Sequence, residues 1–224
     1  MFIIDKEMKR YLTIIILGVI GMTYSSCKKE SFDYPEGYVG ISKVTVFPII
    51  TMKGDKYVAV AKGATYTDAG ATAAAGTSNI EVKVTGLPNA ATAGVYLITY
   101  AATNADGFSA TTTRSVVVYD TKADALANDF SGDYLRAATG AISKWTKLAP
   151  GAYLVNNPGG APTGTAVNVI AINPTGSVID IPQQNTDSGP WASNTESKNL
   201  VSGNYSWAVE NPGYGGAVRT FVKQ

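Results

Sequence analysis

From residue 41 onward apolar side chains recur at every second position, and that period decides what the chain can fold into. Val44 and Val46 alternate with Lys43 and Thr45, and Ile80, Val82 and Val84 alternate with Glu81 and Lys83. This is the pattern of half-buried antiparallel strands. Unbroken apolar stretches follow at Val95-Tyr96-Leu97-Ile98-Thr99-Tyr100 and Val116-Val117-Val118, as expected of strands buried more fully in a sandwich. Gly54-Asp55, Lys62-Gly63, Leu87-Pro88-Asn89 and Ala105-Asp106-Gly107 punctuate them as turns. No ten-residue segment of this region carries the 3.6-residue period of an amphipathic helix. Residues 41–120 therefore read as one domain of short strands.

A polar bridge, residues 121–129, separates this domain from a second one at 130–224. Strands are predicted there at Tyr134 to Ala138, Ile142 to Leu148, Tyr153 to Asn156, Ala166 to Ile172, Ser177 to Ile181, Tyr205 to Glu210 and Ala217 to Lys223. Short strands joined by Gly, Pro and Asn can close either a small β-sandwich or a β-barrel, and the sequence leaves both open. The fold class is all-β in either case. Residues 182–194, rich in Gln, Asn, Ser and Pro, read as a polar connection longer than a compact domain normally needs.

The N-terminus is of another kind. Lys9 and Arg10 precede a twelve-residue apolar run, Tyr11 to Met22, too short to span a bilayer but suited to the core of an export signal. Met8-Lys9-Arg10 is a more ordinary start for such a signal than the acidic Asp5 and Glu7. Ser25 and Ser26 lead into Cys27. That order resembles a bacterial lipoprotein signal, with Tyr24 where the usual motif has an aliphatic residue. The resemblance implies cleavage after residue 26 and lipidation of Cys27, with acyl chains such as palmitate as the membrane anchor. Each buried methylene contributes about 0.8 kcal/mol, so several chains hold a protein at a membrane without a spanning helix. Residues 27–224 carry equal numbers of acidic and basic side chains, so attachment must come from lipid. Residues 27–40 mix charges with Pro35, Gly37 and Gly40 and read as a lipidated tether.

Composition removes several chemistries. Histidine is absent and Cys27 is the sole cysteine, so Ser-His-Asp and Cys-His catalysis, a His-ligated zinc and an internal disulfide all lack their parts. The formal net charge is +1 with no basic block, which gives no footprint for nucleic acid. Calcium at Asp68 and Asp106 is disfavoured because the chain after Asp68 is poor in acids. No metal or cofactor is expected. Carboxylate pairs for glycoside hydrolysis, Asp129 with Asp133 or Asp180 with Asp187, are not established by their spacing. Asp129 and Asp133 flank a Ser-Gly turn, which explains them as turn formers. Gly159-Gly160 and Gly213-Tyr214-Gly215-Gly216 lack the completion of a phosphate loop.

The tryptophans all lie in the second domain. Strand parity places Trp207 with Tyr205 and Val209 on a core face. Trp145 shares a face with Ser143 and Lys147, opposite Ile142 and Leu148, so its ring is expected on the solvent side. Trp191 stands in the polar connection and Tyr214 in a Gly-rich turn. Flat rings beside amides and hydroxyls are the side chains that hold sugars, the ring covering an apolar C–H face and the polar groups satisfying the hydroxyls. Trp191, Tyr214 and Trp145 are therefore the candidate ligand-binding residues. Packing within the core or a loop is the alternative role for each.

The stretches Gly63 to Ala73, Ala93 to Gly107 and Thr113 to Val118 resemble the bacterial Ig-like domain of Bacteroides-type surface lipoproteins. Residues 130–224 resemble the small C-terminal β domain that follows it, carried by Phe130 to Arg136, Lys147 to Val155 and Arg219 to Lys223. The resemblance implies an Ig-like β-sandwich at 41–120 and an outer-membrane lipoprotein, accessory to polysaccharide uptake, on the periplasmic face or the cell surface. It supplies no catalytic residue. The expectation is a non-enzymatic, lipid-anchored envelope protein with an Ig-like spacer and a glycan-recognition module. The alternative is a structural subunit that docks to another envelope protein.

Overall fold

The computed structural model describes residues 34–39 and 42–224. The signal segment 1–26, Cys27 and tether residues 28–33 and 40 lie outside the described residues. The described residues divide into two units at the Thr45–Val46 boundary. In the first, β1 (Tyr38–Val39) and β2 (Ser42–Lys43) pair antiparallel, Val39 opposite Ser42.

The second unit opens with a two-sheet sandwich. Its strands are β3 (Ile49–Met52), β4 (Tyr57–Ala61), β5 (Ala71–Ala75), β6 (Ser78–Ile80), β7 (Lys83–Thr85), β8 (Gly94–Thr103) and β9 (Ser109–Tyr119). One sheet has the order β3-β5-β6 and the other β4-β9-β8-β7. β4 runs parallel to β9, with Tyr57 opposite Ser115. Ile98, Tyr100 and Val116 fill the core with Ile50, Met52, Val58 and Val60. The alternation at 80–84 belongs to two strands rather than one. Ile80 ends β6 in the first sheet, Val82 packs in the core, and Val84 lies in β7 of the second sheet. Val44 and Val46 alternate without forming a strand, and both side chains are exposed.

The remaining strands are β10 (Gly132–Arg136), β11 (Ala141–Ala149), β12 (Ala152–Asn156), β13 (Asn168–Ile172), β14 (Gln184–Thr186), β15 (Gly189–Lys198), β16 (Tyr205–Glu210) and β17 (Arg219–Lys223). A single 3-10 turn, Gly164–Ala166, precedes β13. The eight strands form one antiparallel sheet in the order β13-β12-β11-β10-β17-β16-β15-β14. Its two ends meet. Ile172 and Asp180 exchange backbone hydrogen bonds of 2.8 and 3.0 Å, and the Gln184 side-chain amide both accepts from Ile170 N and donates to Ile170 O, each at 2.8 Å. Of the two closures the sequence allows, the near-closed barrel is the one observed.

An eight-stranded barrel has an interior just wide enough for side chains to fill, and here they are aromatic. Trp145 stacks on Trp207 at 5.4 Å, Tyr205 stacks on Phe221 at 4.6 Å, and Tyr134, Tyr153 and Phe130 complete the packing. This overturns the solvent-facing reading of Trp145, which is 2% exposed. The strand parity holds, but the buried side is the one carrying Ser143 and Lys147. Ser143 accepts a hydrogen bond from Tyr205 at 3.0 Å, and Lys147 reaches the barrel's end to donate to Asn128 O at 3.0 Å, so neither polar group is stranded.

Two further expectations change. The polar connection at 182–194 contains the β14–β15 hairpin, with Gln184 opposite Trp191. The strand expected at Ser177 to Ile181 is reduced to the isolated bridge at Asp180.

The sandwich and the barrel share a third apolar cluster. Val117 of β9, Ala152 of β12 and Ile170 of β13 are buried together, with Tyr57, Ala59, Val95 and Leu148 packed around them. The β4-β9-β8 sheet is therefore covered on both faces, which explains its unbroken apolar stretches.

Candidate functional site

Since side chains fill the barrel, room for a ligand is found outside it. A cleft of about 380 Å³ lies where the sandwich meets the barrel, within the usual size range of small-ligand sites. Parity on the shared sheet sets its floor. The face of β9 that buries Val117 against the barrel also presents Thr113 and Ser115, and Leu97 of β8 joins them. Tyr57 opens β4 on one wall. Val167 and Asn168, at the end of the 3-10 turn, form the opposite wall, and Asn185 and Thr186 of β14 with Asp187 and Ser188 of the β14–β15 turn form the rim.

The lining mixes amides, hydroxyls and one phenol with the apolar Leu97, Ala166 and Val167, and its polar members are able to donate to and accept from sugar hydroxyls. Lys56 bridges the cleft to Asp187 at 2.7 Å. That hydrogen bond raises the Lys56 ammonium above the usual lysine range against a smaller opposing effect of burial. Burial raises the Tyr57 phenol, which stays protonated at neutral pH.

Of the expected ligand-binding residues, Trp191 and Tyr214 stand behind this cleft rather than in it, and Trp145 lies in the barrel core. Trp191 is 1% exposed. Its indole N–H donates to Ser188 Oγ at 3.0 Å, so the ring braces the rim, and its edge meets Tyr214 at 5.0 Å. Tyr214 is half-buried, packed on Gly159, where an added Cβ would lie 2.1 Å from its ring. Neither tryptophan, Trp145 or Trp191, offers a ring face to solvent. Cys27 lies outside the described residues. Lys56, Tyr57, Asn168 and Asn185 were missed in the sequence because the cleft joins segments distant along the chain, and only Asn185 belonged to a stretch already singled out.

The acidic pairs considered from sequence take other partners. Asp187 is clipped onto Lys56. Asp180, pushed up to about 6 by burial and by Glu196, has Glu196 as its charged neighbour. Asp129 accepts from Ser131 N at 2.9 Å and lies 3.9 Å from Lys147. Its hydrogen bonds from Ser131 hold its carboxyl below the ordinary range. Asp68 accepts from Tyr66, Tyr100, Arg114 and Gly70 N. Among the described residues no group of three or more acidic side chains is placed to hold a metal.

The crystal structure of the lipoprotein BT2262 from Bacteroides thetaiotaomicron is 24% identical, with a TM-score of 0.44, over 80% of this chain and 100% of that one. The M60 catalytic domain with the CBM51-1 and CBM51-2 domains of Clostridium perfringens ZmpB is 15% identical, with a TM-score of 0.30, over 62% of this chain and 14% of that one. No curated protein is similar in sequence. Residues 50–118 match the family described as bacterial surface protein, Ig-like domain, and the sandwich half of this chain is an Ig-like domain of that kind.

Proposed function

We propose that this is a non-enzymatic, lipid-anchored envelope protein that holds a glycan in the cleft between its Ig-like domain and its barrel. The observation that carries the reading is the cleft itself, lined by Asn168, Asn185, Thr113, Ser115 and Tyr57. In this reading the Ig-like domain is both a spacer and one wall of the site. Trp191 and Tyr214 fix the rim that carries Ser188. Cys27 supplies the outer-membrane anchor, and the lipoprotein-type sequence around it is the support for that assignment.

A glycan array probed with the protein tests the binding. Recognition that weakens at least tenfold in Asn185→Ala, with the thermal melt unchanged, is the expected result, and an array without specific binding overturns it. Mass spectrometry of the native protein tests the anchor, an unmodified Cys27 being the outcome that removes it.

A second reading, docking to another envelope protein, is favoured by one feature. Phe47 and Phe108 meet edge-on at 5.1 Å while both remain exposed, beside Ile49 at 70% exposure. Phe47→Ser would then abolish co-purification with an envelope complex and leave glycan binding intact.

A further inference from the structure

The barrel has a second polar feature at the mouth next to the cleft. β10 and β17 pair antiparallel with Leu135 opposite Val222, a register that sets Arg136 beside Phe221 and one diagonal step from Arg219. Side chains in that relation lie on one face, about 7–8 Å apart. The face is the interior one, since Tyr134, Phe221 and Arg219 on it are buried. Two guanidiniums are therefore held together at one barrel end.

Their partners are all backbone oxygens. Arg136 donates to Gly159 O at 3.1 Å and Gly160 O at 3.3 Å. Arg219 donates to Ala217 O at 2.9 Å and Gly215 O at 2.8 Å. Neither forms an ion pair with a carboxylate among the described residues. Arg219 is 7% exposed and its Nε–H has no acceptor. A buried cation without a counter-charge and a buried donor without a partner are both unfavourable. Burial, then repulsion from Arg136, lowers the Arg219 pKa from its ordinary value. The Tyr214 ring lies against the same guanidinium at 5.4 Å, and the turn over it, Gly213-Tyr214-Gly215-Gly216, leaves open space around the Cα atoms of Gly215 and Gly216.

We propose that Arg136, Arg219 and Tyr214 form a binding site for a compact oxyanion, a carboxylate or sulfate, entering under the 213–216 turn. Guanidinium forks match such anions two bonds at a time. Tyr214 touches Trp191, and Trp191 holds Ser188 of the cleft rim, so an acidic saccharide is the carrier this neighbourhood fits. The choice of carrier rests on the glycan reading above; the anion site does not.

Calorimetric titration of the full chain in detergent, with sodium sulfate, sodium glucuronate and glucose at ionic strength fixed by sodium chloride, tests the site. Saturable binding of sulfate and glucuronate but not glucose is expected. Both affinities should fall at least tenfold in Arg136→Gln and less in Arg136→Lys. Absence of saturable binding by either anion overturns the proposal, as does equal binding by Arg136→Gln. The wild-type contrast of sulfate with chloride needs no variant, so a poorly folded Arg136→Gln does not block the test. Sulfate binding without glucuronate binding keeps the oxyanion site and removes the saccharide. Array binding that responds to Asn185→Ala but not to Arg136→Gln separates failure here from failure of the cleft.

Discussion

Arg114 shows how one side chain organises a sandwich. It projects into the core of the Ig-like half, 1% exposed, and donates to Asp55 O at 2.9 Å, to Lys53 O and to Asp68. Residues 53–56 carry the chain from β3 in one sheet to β4 in the other, so the guanidinium pins that crossing. Burial alone would raise the Asp68 carboxyl, but hydrogen bonds from Tyr100 and Tyr66, with Arg114, outweigh it and hold the group below the ordinary carboxylate range. The contribution to stability is present above the unfolded value of about 4 and lost as pH falls through the lowered folded value. Asp68→Asn strands a buried cation and should cost about 3–5 kcal/mol at pH 7, with the deficit shrinking in urea melts run toward pH 3. An equal deficit at both pH values would refute the linkage. Asp180 has the opposite sign. Its folded pKa of about 6 exceeds the unfolded one, so its ionisation destabilises the fold as pH rises from about 4 to 7. Asp180→Asn should gain about 1–2 kcal/mol at pH 7 after allowance for screening, and almost nothing at pH 4.

At the scale of elements, barrel closure depends on a side chain imitating a peptide group. Gln184 meets both backbone groups of Ile170 with its amide and also donates to Pro182 O at 3.1 Å, which joins β14 to β13 where the backbone ladder is missing. Gln184→Leu would leave Ile170 N–H and C=O unpaired and should lower stability by about 2–4 kcal/mol, read as a lower urea midpoint with an unchanged slope. No loss would mean that the closure is carried by the Ile172–Asp180 bridge alone. Such devices limit what a sequence discloses. The bounds of β16 and the core face of Trp207 follow from Tyr205-Ser206-Trp207-Ala208-Val209, where apolar alternation is intact. The β14–β15 hairpin is hidden because Gln184, Ser193 and Lys198 lie on or near the interior with their polar atoms satisfied. Lys198 donates to Tyr134 at 3.2 Å beneath the rings of Phe130 and Tyr134, a burial that no hydropathy pattern announces. Trp145 was misjudged for the same reason, its face being flanked by Ser143 and Lys147. The pairing of Arg114 with Asp68 is likewise a product of the fold, because the two are distant along the chain.

For the whole molecule, the consequential packing is the cluster that joins the two halves. Val117 belongs to the Ig-like sheet, and Ala152 and Ile170 to the barrel, yet none is exposed. Separating the halves would return this surface to water, at about 25 cal/mol per Å² of apolar area. The Lys56–Asp187 pair adds little to that, because both side chains are substantially exposed, at 40% and 74%. Apolar burial therefore sets the width of the cleft, and the ion pair only spans it. Two consequences follow for measurement. Lys56→Ala should shift ligand affinity while moving the melting temperature by no more than a degree or two. Ile170→Ala removes apolar contact from both halves and should cost about 2–5 kcal/mol. Calorimetry should show one cooperative transition in the wild type and a lower or split transition in Ile170→Ala. Two transitions already present in the wild type, the first unmoved by Ile170→Ala, would mean that the halves fold separately and that the cleft between them has no fixed width to recognise anything.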